Sequence, residues 1–252
     1  FDDNNVTREG EINPKSDLET IKTELCLADL QTLEKQKEPN PNRITLEDKK
    51  RSLVFQKAKE ILSAGKEIRE IKWTDEDREY LSPLFLLTAK PVLFILNIAE
   101  KEVSLSINEL AEKYKLKEIG NIIPICAKVE MELIDLNPEE RKEFLKELGL
   151  KQSGLEKMIQ ACYQLLGLQT YLTAGEKEVR AWTINYGDKA PQAAGVIHTD
   201  FEKGFIKAKI VSYQDFVSFK GWKEAAEAGK VRIEGKDYVM QEGDVVEFMV
   251  NS

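Results

Sequence analysis

Histidine and cysteine are scarce in this chain, and their scarcity excludes several kinds of site. Among 252 residues there is one histidine, His198, and there are three cysteines, Cys26, Cys126 and Cys162. The cysteines are odd in number, far apart and outside any Cys-x-x-Cys pair, which excludes a disulfide scaffold or a cysteine zinc site and favours the reducing cytoplasm. A Ser-His-Asp triad or a histidine zinc site would depend on His198 alone.

Long apolar runs and an excess of basic charge are also missing. No run of about 18 apolar residues is present, and the chain does not start like a secretory signal, so we expect no membrane association. The 37 basic and 45 acidic side chains give a net charge of −8, which argues against DNA as a partner. A local basic surface stays compatible with this balance.

The glycine-rich phosphate-binding motif G-x-x-x-x-G-K-[ST] does not occur in the sequence. That motif supplies the backbone cradle for nucleotide phosphates and the hydroxyl that binds Mg²⁺. We therefore expect no catalytic residue, no metal ligand and no nucleotide hydrolysis within this chain alone.

Two amphipathic helices are predicted in the first third of the chain. The first follows Pro14, and the motif Pro39-Asn40-Pro41-Asn42 ends it because proline disfavours helix in the residue before it. The second begins at Thr45, whose hydroxyl can cap the first turn. Apolar residues recur at three- and four-residue spacing in both helices. This pattern fits an antiparallel helical arm, and it fits an ordinary helical pair packed on a core equally well.

Two short apolar runs predict parallel strands. Residues 92–96 and 122–126 are apolar throughout, and a capping box at Ser106 predicts a helix between them. Strand, helix and strand over this distance fit one right-handed βαβ unit. The functional loops of such folds lie at the carboxyl ends of the strands, which here are the loops that start at Asn97 and Cys126.

The residues of these two loops are the candidate binding residues. The first loop reads Asn97-Ile98-Ala99-Glu100, in which an amide and a carboxylate could read the edge of a nucleotide base. The second loop reads Cys126-Ala127-Lys128, in which a small residue admits a ligand and the lysine stem can cover a ring. The alternative is that Asn97 caps a helix and Glu100 is solvated.

The last part of the chain changes from helix to strand. Residues 137–170 are predicted to be helical, and the apolar face of the helix over 155–168 is expected to be core. From residue 179 onward, the sequence pattern predicts strands and turns that form a small mixed sheet packed around a helix. A capping box starting at Thr199 predicts a short helix directly after His198.

Four residues of this last part are candidate RNA contacts, namely His198, Lys203, Lys207 and Lys209. As the one histidine of the chain, His198 is a candidate catalytic residue, but no nucleophile lies beside it in the sequence, so a structural role is favoured. The lysines either form a small RNA-binding face with Phe201 and Phe205, or they are a solvated surface over core phenylalanines.

Seven segments of the chain match one known pattern, namely residues 1–7, 97–100, 168–175, 178–184, 189–195, 197–206 and 234–238. In these segments the chain resembles the YchF or Obg-like ATPases, a family of the translation-factor-related P-loop GTPase class. The resemblance covers essentially the whole chain, is most specific in the final third and is weakest at residues 34–72.

This resemblance implies an α/β fold with three parts. It implies a P-loop nucleotide-binding domain, of which residues 1–24 and 84–170 are the remnant and the carboxyl-terminal half. Residues 25–83 would be a helical coiled-coil insertion into that domain, and residues 171–252 a TGS domain of β-grasp type.

The resemblance also implies a function. The family recognises its base through N-x-x-E where related GTPases have N-K-x-D, so Asn97, the Ile98 backbone and Glu100 would lie at adenine. The loop Cys126-Ala127-Lys128 would close the base pocket, with Cys in place of Ser. The longer Glu100 and the missing lysine should weaken guanine recognition, but the preference for ATP is implied by the resemblance only.

On the same grounds the intact protein would be a cytoplasmic ATPase that binds ATP with Mg²⁺ and associates with the large ribosomal subunit or with RNA. The family's phosphate loop and switch regions would precede Phe1. We therefore expect this chain to supply base recognition without hydrolysis. The alternative is a non-enzymatic module that binds ribosome, RNA or protein without a nucleotide.

Overall fold

The computed structural model divides the chain into two compact units, Phe1–Met158 and Ile159–Ser252. It describes residues 13–37, 44–116, 121–175 and 178–251. The predicted break at Pro39-Asn40-Pro41-Asn42 and the opening segment 1–7 lie outside the described residues. Within the described part of the chain, no helix is both long and apolar enough to cross a membrane.

The first unit begins with helices that pack on one another. They are α1 (Pro14–Glu34), α2 (Leu46–Ser63) and α3 (Asp75–Leu81). The capping box predicted at Thr45 is present, since the Thr45 side chain accepts from the Asp48 N–H and the Asp48 carboxylate accepts from Thr45. Apolar side chains of all three helices share one core, in which the buried residues are Cys26, Leu33, Val54, Ala58, Leu62, Ile68, Trp73, Leu81 and Leu86.

The remainder of the first unit contains the predicted strand-helix-strand unit, which consists of β1 (Phe94–Asn97), α4 (Ile107–Lys113) and β2 (Ile122–Ile125). Two helices follow it, α5 (Ala127–Ile134) and α6 (Pro138–Glu147). The two strands pair in parallel, with Leu96 opposite Pro124 and Asn97 opposite Ile125. The capping box predicted at Ser106 starts α4. On β1 the side chain of Ile95 is 45% exposed.

A buried carboxylate joins the helices to the segment before β1. Asp29 of α1 is 2% exposed, and its two oxygens accept the backbone N–H groups of Leu87 and Thr88 at 2.8 and 2.7 Å. The Thr88 hydroxyl donates to the same carboxylate at 2.6 Å and accepts from the Ile68 N–H at 3.4 Å. Three segments distant in sequence are therefore held by one hydrogen-bond network.

The helix α7 (Gly154–Leu166) starts in the first unit and ends in the second. The expectation that its apolar face is core is wrong for Ile159 and Leu166, which are 48 and 61% exposed, whereas Met158, Cys162 and Leu165 are half-buried. The amphipathic pattern is real, but it buries that face only in part. The predicted continuation of the helix to residue 170 is also wrong, because Gly167 adopts a left-handed φ of 64° and ends it.

The second unit is the predicted small mixed sheet. Its elements are β3 (Leu168–Ala174), β4 (Val179–Asn185), α8 (Ala190–Ile197), α9 (Thr199–Lys203), β5 (Phe205–Ser212), α10 (Tyr213–Ser218), α11 (Trp222–Glu227), β6 (Arg232–Glu234) and β7 (Asp244–Val250). The strand order is β4-β3-β7-β5-β6, and only the β3–β7 pair is parallel. Helix α8 packs on one face of this sheet around Tyr171, whose hydroxyl donates to the Ala193 carbonyl at 2.9 Å.

We predict that Asp29→Asn destabilises the first unit by about 2–4 kcal/mol, because an amide N–H₂ then faces a backbone donor in a buried position. Urea-dependent hydrogen exchange of the Leu87 and Thr88 amides measures this effect. The matched control is Asp75→Asn at the exposed start of α3, which should change stability by only tenths of that amount. Equal protection of these amides in wild type and Asp29→Asn would contradict the prediction.

Candidate functional site

The parallel pairing of β1 and β2 brings the two candidate loops side by side. Asn97 is the last residue of β1 and lies opposite Ile125, the last residue of β2. One further backbone hydrogen bond extends the pairing, from the Ile98 N–H to the Ile125 carbonyl at 2.9 Å. The chain leaves both strands at the same edge, as the sequence predicts.

Asn97 connects the two loops through its side chain. Its Oδ1 atom accepts the backbone N–H of Ala127 at 3.3 Å, in the first turn of α5. Both residues are exposed, so the amide group remains open to solvent. The alternative that Asn97 caps a helix is therefore confirmed in part. Asn97 lies on a neighbouring strand, and its side chain accepts the N–H of Ala127, which has no partner within the first turn of α5.

Glu100 and Lys128 form an ion pair across the rim of the site. The Lys128 ammonium donates to the Glu100 carboxylate at 2.6 Å and lies 3.9 Å from Glu132. The hydrogen bond and charge of Glu100 raise the pKa of Lys128. The Lys128 and Glu100 side chains are 64 and 46% exposed, so water screens their attraction and the pair adds little stability. A ligand can therefore separate them at little cost.

Ile98 and Cys126 are buried rather than exposed to a ligand. Their exposures are 3 and 6%, and both belong to the apolar cluster beneath the loops. Since the Ile98 N–H pairs with Ile125, it is not free to donate to a base while the sheet is intact. Cys126 precedes α5 and makes no side-chain cap there.

A buried glutamate that the sequence reading missed supports the first loop. Glu102 is 3% exposed and accepts the Ala99 N–H at 2.8 Å and the Tyr114 hydroxyl at 2.8 Å, while the Lys113 ammonium contacts it as well. Burial raises the pKa of Glu102, but these donors outweigh it and bring the pKa down to about 2. The spacing of three residues between Ala99 and Glu102 is the signal that could have identified this contact.

The four candidate residues of the second unit do not form one surface. His198 accepts the Asp200 N–H through Nδ1 at 3.2 Å and so caps α9 itself, which corrects the capping box predicted at Thr199. The Nδ1 atom of His198 accepts this hydrogen bond as the side-chain oxygen of an Asn N-cap would, so the N-cap residue is His198 rather than Thr199. His198 is therefore a helix cap, which is a structural role of the kind that the sequence favours.

The lysines lie on different sides of the sheet. Lys207 and Lys209 alternate with the buried Ala208 on β5, whereas Lys203 ends α9, which packs through Phe201 on the Ala208 side. Lys209 pairs with Glu247 at 3.3 Å and lies over the Trp222 ring. Phe205 and Phe201 pack in the core, as the structural alternative expects.

Comparison with known proteins identifies a consistent set of relatives. A family model described as YchF-GTPase_C, protein of unknown function (DUF933), matches residues 168–251. The chain is 46% identical over 259 residues to "Ribosome-binding ATPase YchF" of Bacillus subtilis, a match that covers 100% of this chain and 71% of that protein. It is 37% identical to "Obg-like ATPase 1" of Caenorhabditis elegans, with 100% and 66% covered.

A solved structure has the same fold. The YchF GTPase of Schizosaccharomyces pombe superimposes with a TM-score of 0.79 at 35% sequence identity, covering 97% of this chain and 68% of that chain. The likeness therefore extends over both compact units rather than over the last third alone.

We predict that Glu102→Gln destabilises the fold around β1 near neutral pH, and that this effect fades in acid. The pKa of Glu102 is about 2 in the folded protein, below its ordinary value of about 4.3, so its stabilising contribution is complete above about pH 4.3 and is lost as the pH falls towards 2. Thermal midpoints of wild type and variant between about pH 6 and pH 2.5 measure this.

The control is Glu143→Gln at an exposed position of α6. It should lower the thermal midpoint little at any pH. A gap between wild type and Glu102→Gln that stays constant over the same range would contradict the assignment of the depressed pKa to Glu102.

Proposed function

The chain belongs to the YchF family, and from that membership we propose that it is the base-recognising part of a ribosome-associated protein that binds and hydrolyses ATP. Relatives named ribosome-binding ATPases, at 46 and 45% identity, support this. Ribosome association also fits the cytoplasmic location expected from the cysteine content.

The observation that carries the proposal is the meeting of the two candidate loops at one edge of a parallel strand pair. We assign Asn97 and Glu100 to the adenine edge, where an amide and a carboxylate can pair with the ring nitrogens and the exocyclic amino group. The stem of Lys128 would cover the ring, and Ala127 would admit it. The buried positions of Ile98 and Cys126 limit these two residues to shaping the pocket from beneath.

Hydrolysis is assigned to the intact parent rather than to this chain. Among the described residues no group of three His, Cys, Asp or Glu side chains is placed to hold a metal, so no step involving Mg²⁺ is assigned to them. The residues that bind the phosphates and Mg²⁺ would belong to the phosphate loop, whose motif this sequence lacks. What these residues do is bind and orient the base.

The domain roles form part of the proposal. Residues 1–24 and 84–170 would belong to the nucleotide-binding domain, residues 25–83 would be its helical insertion and residues 171–252 a TGS domain. The strand order of the second unit, with its first and last strands parallel at the centre, supports a β-grasp fold. The helical insertion and the TGS domain would contact the ribosome.

The second candidate function is a non-enzymatic module that binds ribosomal RNA or protein. In this alternative the exposed Lys203 and Lys207 would be two separate RNA contacts, because they lie on different sides of the sheet. RNA binding through these lysines would weaken as salt is added, whereas binding through apolar contacts would not. Salt dependence of the isolated interaction therefore separates the two forms of this alternative.

We predict that Asn97→Ala in the full-length parent lowers ATP affinity about tenfold, the effect of one lost hydrogen bond to a base, and leaves the thermal midpoint nearly unchanged. Titration calorimetry with ATP measures it. Asn97→Asp keeps an oxygen for the Ala127 N–H but removes the amide donor, so it separates base recognition from the structural link. Asn108→Ala on the exposed face of α4 is the control. Unaltered ATP affinity in Asn97→Ala would show that the base-site assignment is wrong.

A further inference from the structure

A cavity in the first unit is lined by residues other than those of the candidate base site. It has a volume of about 540 Å³ and opens between α3 and the segment that leads to β1. Its lining includes two aromatic side chains, Trp73 and Phe85, and three cationic side chains, Arg69, Arg78 and Lys90. We call it the Phe85 cavity.

Phe85 combines a left-handed backbone with an exposed aromatic side chain. Its backbone is left-handed, with φ 49° and ψ 38°, a conformation that costs a residue with a Cβ about 1 kcal/mol or more. Its side chain is 77% exposed, whereas the next residue, Leu86, is 2% exposed in the helical core. The reversal at Phe85 thus places one apolar side chain inside and displays an aromatic ring at the cavity. Strain of this kind is concentrated at binding sites.

The charge of the Phe85 cavity has one sign. Arg69, Arg78 and Lys90 line it, and no acidic side chain does so among the described residues. Arg69 is held by Glu67 and by the Lys90 carbonyl, while Arg78 donates to the Trp73 carbonyl at 3.5 Å. The Lys90 ammonium has no hydrogen-bond or ion-pair partner within the part of the chain that the structure describes. Positive charge is therefore available beside an exposed ring.

We propose that the Phe85 cavity binds single-stranded RNA, with one base stacked on the Phe85 ring and the neighbouring phosphates at Arg78 and Lys90. Aromatic rings that stack bases beside cations that contact the backbone are the common features of single-strand binding. Bases in a duplex are already stacked and cannot reach the ring. An apolar peptide would leave the cations uncompensated. The cellular role of this site rests on the proposed ribosome association, in which the cavity would supply one contact with ribosomal RNA.

The experiment measures fluorescence anisotropy of a labelled single-stranded RNA of about ten nucleotides, without ATP. Phe85→Asn removes the ring but tolerates a left-handed backbone, so the fold should be at least as stable as wild type. RNA affinity should fall about five- to a hundredfold, the effect of one lost stacking contact. Phe85→Trp keeps a stacking surface and should retain affinity. Leu53→Asn, at an exposed apolar residue of α2, is the matched control and should bind as wild type does.

Salt dependence tests the phosphate contacts. Lys90→Ala should reduce the slope of log affinity against log salt by about 0.7, whereas Lys49→Ala, an exposed lysine outside the cavity, should leave it unchanged. Undetectable RNA binding by the wild type, or equal affinity in wild type and Phe85→Asn, overturns the proposal. So does a Phe85→Asn variant that loses ribosome binding but keeps oligonucleotide affinity, since the partner is then a protein. Asn97→Ala should bind this RNA normally, which separates failure of this site from failure of the ATP site.

Discussion

The carboxylate of Asp29 is the interaction on which the arrangement of the first unit depends. It lies in the middle of a helix and accepts three hydrogen bonds from Leu87 and Thr88, nearly sixty residues later in the chain. Without that acceptor two backbone N–H groups near the core would lack a partner, and unpaired buried donors are costly. The network therefore fixes where the chain leaves the helices, and with it the direction in which β1 starts.

Both of the proposed binding regions lie on the segment that Asp29 fixes. Phe85 precedes the Asp29 contact by two residues, and Asn97 ends the strand that follows it. Their positions are thus set by one anchor in the core rather than by flexible surface loops. Rigid support of this kind reduces the ordering cost of binding.

Local signals in the sequence predict much of this structure. Thr45 and Ser106 start helices where their capping boxes indicate, and the apolar runs that lead to Asn97 and Cys126 become paired parallel strands. That pairing alone predicts that the two candidate loops lie next to each other. Their chemical role is less accessible, because spacing shows where Asn97 lies and not what it binds.

The failures come from features that no local pattern encodes. The pattern of α7 gives it an apolar face but cannot say whether anything covers Ile159, which is 48% exposed. Glu102 reads as one of many charged residues, and only the fold places Lys113 and Tyr114 around it. A left-handed backbone at Phe85 has no sequence signal either, since glycine or asparagine usually marks that conformation.

Pro124 in β2 limits the side on which another strand can pair with the small parallel sheet. Backbone groups of Asn121 and Ile125 bond to β1, through Phe94 and Ile98, so those of Pro124 point to the opposite side of β2. Because proline has no N–H, that outer border cannot support a continuous ladder, and β2 is suited to be a terminal strand. The backbone groups of Ile95 and Asn97 face the other border, beside β1. A neighbouring strand can therefore be added on one side only, next to the residue that ends β1.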